Sequence, residues 1–142
     1  MLLLVNAAAT WFMTGLIWLV QVVHYPLFAH VGTAGYEVFH QRHMRLITWI
    51  VAPAMLVEAA TAAALVLWPP ATGRGPALLG IAMVAALWLS TAFLQVPAHN
   101  RLARGYDPAA HRRLVRTNWL RTLLWTARGI LTLWMLTAAR HP

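Results

Sequence analysis

The chain alternates long apolar runs with short polar connections. Leu2 to Phe28, Leu46 to Trp68, Ala77 to Ala98 and Trp119 to Ala139 each reach the ~20 residues that a helix needs to cross a bilayer. Within these runs the polar positions recur at helical spacing. Asn6, Thr10, Thr14, Gln21 and His24 fall close to one stripe of the first run, and Asn118, Arg121, Trp125, Arg128 and Thr132 follow steps of three and four along the last. In hydrocarbon such side chains turn toward neighbouring helices, where hydrogen-bond partners are available. The pattern predicts an all-α fold, a four-helix transmembrane bundle forming one domain over residues 1–142.

The connections carry information of their own. The first places Glu37, His40 and His43 at three-residue steps, which predicts a short helix lying at the membrane interface. Glu37-x-x-His40 has the ligand spacing of carboxylate di-iron bundles, but the second motif and the further carboxylates of such a site are missing. Two readings stay open for that face, a single metal ion on His40 and His43 or a solvated surface. Trp68-Pro69-Pro70 and the glycines after it predict a tight turn, and the third connection is strongly basic. GYEVFHQRHMRLITWI from Gly35 aligns without gaps on GYDPAAHRRLVRTNWL from Gly105. This internal repeat predicts two related hairpins, 1–70 and 75–140, about a pseudo-twofold along the membrane normal.

Composition sharpens the setting. The chain is 61% hydrophobic and 10% charged, far from the balance of soluble domains. Its net charge of +8 comes from 11 basic residues against 3 acids. Because the arginines sit mostly in the connections, where charge sets topology, they do not form the groove that a nucleic acid would need. Arg42 and Arg45 flank the first connection and Arg101, Arg104, Arg112, Arg113 and Arg116 lie in the third, against Arg74 and Arg140 on the other side. The positive-inside rule therefore expects a multi-pass protein of the cell inner membrane with both termini outside the cytoplasm. Absence of cysteine excludes disulfides, iron–sulfur clusters and covalently attached haem. No basic stretch precedes the first run, which is therefore expected to be a retained helix.

Against this apolar background a few residues carry candidate chemistry. Glu58 and Arg128 lie at similar distances from the cytoplasmic ends of their runs. A lone charge at the bilayer centre costs at least ~2.5 kcal/mol, so pairing is expected; the pair either locks the bundle or lines a ligand cavity. His24 and His99 occupy corresponding places in the two halves. They would face each other as a clamp for haem b or a single metal ion, or hydrogen-bond at the interface to Gln21, Gln95 or lipid headgroups. Trp125, between Arg121 and Arg128, either packs the bundle or floors a pocket for a flat ligand. No nucleophile elbow, phosphate loop or zincin motif is present.

Pro97-Ala98-His99-Asn100-Arg101-Leu102, followed by a basic linker and a helix with an internal arginine, resembles the anthrone-oxygenase-like family of small four-helix membrane proteins. The resemblance covers mainly the second half of the chain. Its family pattern of proline, asparagine and leucine is met by Pro97, Asn100 and Leu102, while Trp125 stands where the family tends to carry a histidine. The resemblance implies a four-helix bundle with its polar site in the cytoplasmic half and, in some members, oxygenation of a polycyclic anthrone to a quinone. Together these readings give a cytoplasm-facing pocket lined by Gln21, His24, Glu58, Gln95, His99, Asn100, Arg121, Trp125 and Arg128. It would bind, and in the enzymatic version oxidise, a flat hydrophobic molecule such as a polycyclic phenol, anthrone or quinone. Arg121 and Arg128 would hold its oxygen, with His24 or His99 as base. The bilayer and that small molecule are the expected partners, with a homodimer as a further option. Two competing readings are a haem- or metal-binding membrane protein and a non-catalytic scaffold or accessory subunit whose polar stripe only holds helices together.

Overall fold

A computed structural model describes residues 1–138. Arg140, counted on the sparse side of the charge balance, and the end of the last apolar run at Ala139 lie outside the described residues. The fold is all-helical, with four helices: α1 (Leu2–His30), α2 (Tyr36–Leu67), α3 (Arg74–Leu102) and α4 (Pro108–Ala138). By length and composition the first three are apolar enough to cross a membrane. The fourth is not among them, because Arg112, Arg113, Arg116, Arg121 and Arg128 all lie within it. α1 packs along α2 and α4, and α3 packs along α2 and α4.

The helices outrun the apolar runs at several ends. The predicted interfacial helix around Glu37 to His43 is instead the first two turns of α2, which continues through Pro53 to Leu67. An apolar-run criterion stops where histidine and arginine begin, but the backbone hydrogen-bond ladder does not. Gly35, with φ of 86°, sits at the N-cap of α2 in the left-handed region that glycine adopts without steric penalty. α4 begins at Pro108 with Asp107 before it: Asp107 Oδ1 accepts from the N–H groups of Ala109 at 2.8 Å and Ala110 at 3.1 Å. That is an aspartate cap followed by a proline whose missing N–H costs nothing at the first helical position.

α1 and α3 each contain one wider π turn, Val20–His24 and Thr91–Gln95. Each is followed by a proline two residues on, Pro26 and Pro97. A proline inside a helix clashes with the carbonyl four residues earlier and leaves it without a donor. In both helices that carbonyl belongs to the π turn, whose extra residue relieves the clash. In and just after these turns, Gln21 and Tyr25 are buried in α1 and Gln95, Ala98 and His99 in α3.

Helix α2 is buried at Tyr36 and His40 and again from Met55 to Leu65, but at no position between. Its middle is only partly covered, with Val51 and Ala54 half-buried against the core. α4 is the opposite case: Leu114, Asn118, Arg121, Trp125, Arg128, Thr132 and Met135 make a buried stripe along most of its length.

Candidate functional site

Along that stripe two arginines meet different surroundings. Arg128 is 1% exposed and each of its guanidinium nitrogens donates: Nε to Glu58 Oε1 at 2.7 Å, Nη1 to the Gly80 carbonyl at 2.6 Å and Nη2 to Asn6 Oδ1 at 3.1 Å. Thr10 donates to Glu58 Oε1 at 2.7 Å and the Trp125 indole N–H to Oε2 at 3.0 Å. The expected ion pair is therefore present, and it is closed on every side. Asn6 and Gly80 lie within the first two turns of α1 and α3, so the pair sits toward the end of the molecule where the chain begins. It does not join a pocket with the histidines. Trp125 is fully buried between the pair and Arg121, whose guanidinium carbon lies 4.9 Å from its ring centroid.

Arg121 is also buried, but only partly satisfied. Its Nη1 donates to Asn118 Oδ1 at 3.1 Å, and its Nε has no partner. The acids are engaged elsewhere: Glu58 with Arg128, Asp107 with Arg101 at 2.7 Å, and the exposed Glu37 with Gln41. Arg121 thus carries a buried positive charge without a carboxylate among the described residues, an arrangement that disfavours the free protein.

The partly covered middle of α2 borders open space beside it. A cavity of about 250 Å³ lies between α2 and α3, with Met44, Ile47, Val51, Ala52 and Met55 on one wall and Trp88, Thr91, Gln95, Val96 and His99 on the other. Tyr25 and Arg121 close its inner end. Thr48, Trp88 and Val96 line it and are themselves exposed, so it opens sideways between the two helices. Ligand sites commonly measure roughly 300–1,000 Å³, which makes this one fit for a small ring system.

Beyond Tyr25 and His99 the imidazoles gather at the end where α1 meets α2 and α3 meets α4. His99 Nε2 lies 3.0 Å from the Tyr25 hydroxyl, and its Nδ1 lies 3.1 Å from His40 Nε2. His24 Nε2 lies 2.9 Å from His43 Nδ1. The expected clamp is therefore replaced by two other pairs, His24 with His43 and His99 with His40. No three His, Asp or Glu side chains among the described residues converge on a point that could hold a metal ion, so the four histidines are built as hydrogen-bonded pairs. His40 is completely buried and is no solvated face.

The remaining predicted residues sort by the same test. Gln21 ties α1 to α4, donating to the Val115 carbonyl at 3.2 Å and accepting from Asn118 at 2.9 Å. Gln95 does so from α3, donating to Thr117 Oγ1 at 3.1 Å, while also touching the cavity. Asn100 is exposed and stands apart from the site. His24 faces a separate outer groove with Phe39, Arg42 and His43. Of the predicted pocket, Gln95, His99 and Arg121 are brought together. Sequence reasoning missed Tyr25, although a tyrosine directly before Pro26, where the helix must widen, was the available signal.

No protein-family model, curated protein or solved structure matches the chain.

Proposed function

We propose that the chain is a four-helix transmembrane bundle whose lateral pocket binds a small, flat, hydrophobic molecule through an acidic oxygen, held as its anion against Arg121. The observation that carries this reading is the buried Arg121 guanidinium, which has a free Nε and no carboxylate partner and stands at the inner end of a largely apolar cavity. An anionic oxygen there supplies the missing charge and acceptor in a low-dielectric setting. Apolar walls on α2 and α3 suit a ring system, and Tyr25 and His99 stand ready to take or return its proton. Polycyclic phenols, anthrone enolates and hydroxyquinones have this combination. In line with the resemblance to anthrone oxygenases, the enzymatic form of the reading is oxidation of an anthrone by dioxygen to the quinone and water, with the enolate stabilised by Arg121.

The packing of α4 against both α1 and α3 supports reading it as a fourth span. Its arginines either sit near its start or, at Arg121 and Arg128, point inward. The paired π turns and the glutamine ties to α4 favour the two-hairpin repeat. A structural role belongs to the Glu58–Arg128 end, whose groups are all engaged.

Alizarin, a dihydroxyanthraquinone whose colour reports its ionisation, tests the binding reading. Detergent-purified protein should quench its tryptophan emission on titration and shift the dye to its ionised spectrum, and Arg121→Met should lose both. Equal binding by Arg121→Met would sink the proposal. Inner-membrane orientation is tested separately. Cysteines at Thr33 and Ala109 should resist an impermeant thiol reagent in intact cells, while one at Thr72 should react; the opposite pattern reverses the topology.

A further inference from the structure

The Tyr25–His99–His40 chain has a direction, and donor bookkeeping gives it. Tyr25 lines the cavity and its hydroxyl lies 3.0 Å from His99 Nε2; His99 Nδ1 lies 3.1 Å from His40 Nε2; His40 Nδ1 is buried without a partner. A neutral imidazole has one N–H and one lone pair, so fixing the proton at one link fixes it at all. In one arrangement Tyr25 donates to His99 Nε2, His99 Nδ1–H donates to His40 Nε2, and His40 keeps its proton on Nδ1. In the other every hydrogen bond is reversed. His40 then donates to His99, His99 donates to the tyrosine oxygen, and the Tyr25 O–H points away from His99.

The first arrangement suits the free protein, since it leaves only the His40 Nδ1–H without a partner, whereas the reversed one leaves both the Tyr25 proton and the His40 Nδ1 lone pair without partners. Once an anionic oxygen occupies the cavity the preference changes, because the reversed arrangement gives it a Tyr25 O–H donor beside Arg121. Resting on the binding reading above, we propose that His40 and His99 form a proton relay that carries the ligand's acidic proton out of the cavity. The balance closes with four moves. The ligand proton passes to the Tyr25 oxygen, the Tyr25 proton to His99 Nε2, the His99 Nδ1 proton to His40 Nε2, and the His40 Nδ1 proton leaves. One proton departs and the ligand remains as its anion, while both histidines change tautomer.

His40 Nδ1 has no acceptor in the resting structure, so release of its proton to water requires a local opening beside Tyr36. The His40 ring stacks at 5.8 Å on Tyr36, whose hydroxyl is also buried without a partner, and Tyr36 meets the partly buried Tyr106 at 5.1 Å. His43 is the other titratable ring near the chain, 6.1 Å from His40 and 6.0 Å from His99, and its hydrogen bond is to His24. Arg121 is the charged group sharing the Tyr25 end. Tyr25 is thus a candidate catalytic residue at the ligand, and His40, which does not line the cavity, acts through His99.

Alizarin serves again as probe, with binding read by tryptophan quenching and ionisation by its visible spectrum after stopped-flow mixing. Wild-type protein should release about one proton per bound dye, as the bookkeeping requires. In Tyr25→Phe and His40→Phe, dye that still binds should ionise on the order of 10²-fold more slowly, whereas His24→Asn should behave as wild type. Wild-type ionisation in bound His40→Phe overturns the relay and leaves the pocket standing; failure of the dye to bind wild-type protein overturns both. Because His40 is buried and its variant could misfold, ¹⁵N-histidine spectra of the wild type give an independent reading. Dye binding should convert His40 and His99 from the Nδ1–H to the Nε2–H tautomer, and unchanged tautomers overturn the relay.

Discussion

Arg121 and Arg128 stand two turns apart on one face of α4, are both buried, and share Trp125 between them. One is bound to a carboxylate, a carbonyl and an amide oxygen; the other has one amide oxygen and an indole face. Identical side chains at nearly identical burial therefore do opposite things. The engaged arginine ties α1, α2 and α3 to α4 and leaves nothing for a ligand, while the under-satisfied one stores an unmet demand for negative charge at a cavity. The difference comes from the partners, since the few carboxylates of the chain are used elsewhere.

The comparison is most sharply broken at the closed end. Glu58→Gln or Arg128→Met strands a buried charge and should lower stability by ~3–5 kcal/mol, read as thermal unfolding in detergent. The double variant should recover much of that loss, and additive losses would mean that the two residues do not act as a pair. At the open end Arg121→Met should move the other way, leaving thermal stability equal or higher while ligand binding weakens by roughly 2–5 kcal/mol. A drop in stability comparable to Arg128→Met would erase the distinction. Gly80→Ala probes how tightly the closed end is fitted. Its Cβ would lie 3.0 Å from Arg128 Nη1, so overpacking should cost about 1–3 kcal/mol without affecting the pocket; an unchanged melting point would mean that the contact has slack.

The smallest effect is expected outside both ends. The Ala110 N–H, with the Ala109 N–H and Arg101 in support, holds the Asp107 carboxyl below its ordinary value. A lowered folded-state value means that its contribution is complete above the ordinary aspartate range and fades as pH falls through the lowered one. Acidification should remove a small increment of thermal stability from the wild type that Asp107→Asn, which keeps a capping oxygen, does not lose.

What the sequence made legible follows from periodicity. The polar stripe of α4 and the Glu58–Arg128 pair could be read because helical spacing fixes a face and a lone charge in an apolar run demands a partner. The division of that stripe could not. Apolar-run ends are the only depth marker a sequence offers, and α2 and α4 start well before those ends, at Tyr36 and Pro108. The histidine partners differ from the symmetric expectation for a related reason. Symmetry between halves pointed His24 at His99, but His40 and His43, read as an interfacial segment, belong to the first turns of α2 and intercept them. Tyr25 escaped because a π turn shifts the face by one residue, which no fixed period anticipates.

The sideways opening between α2 and α3 changes what affinity means for this pocket. On the proposed binding reading, with these helices in a bilayer, a ligand would arrive from the acyl chains and not from water, so its occupancy would depend on the ligand-to-lipid ratio. Leaving hydrocarbon for a wall of methionine, isoleucine and valine gains almost nothing from apolar burial. Selectivity then rests on the few polar atoms at the inner end, and different ring systems that fit the cavity of about 250 Å³ should compete on equal terms provided they present the same ionisable oxygen.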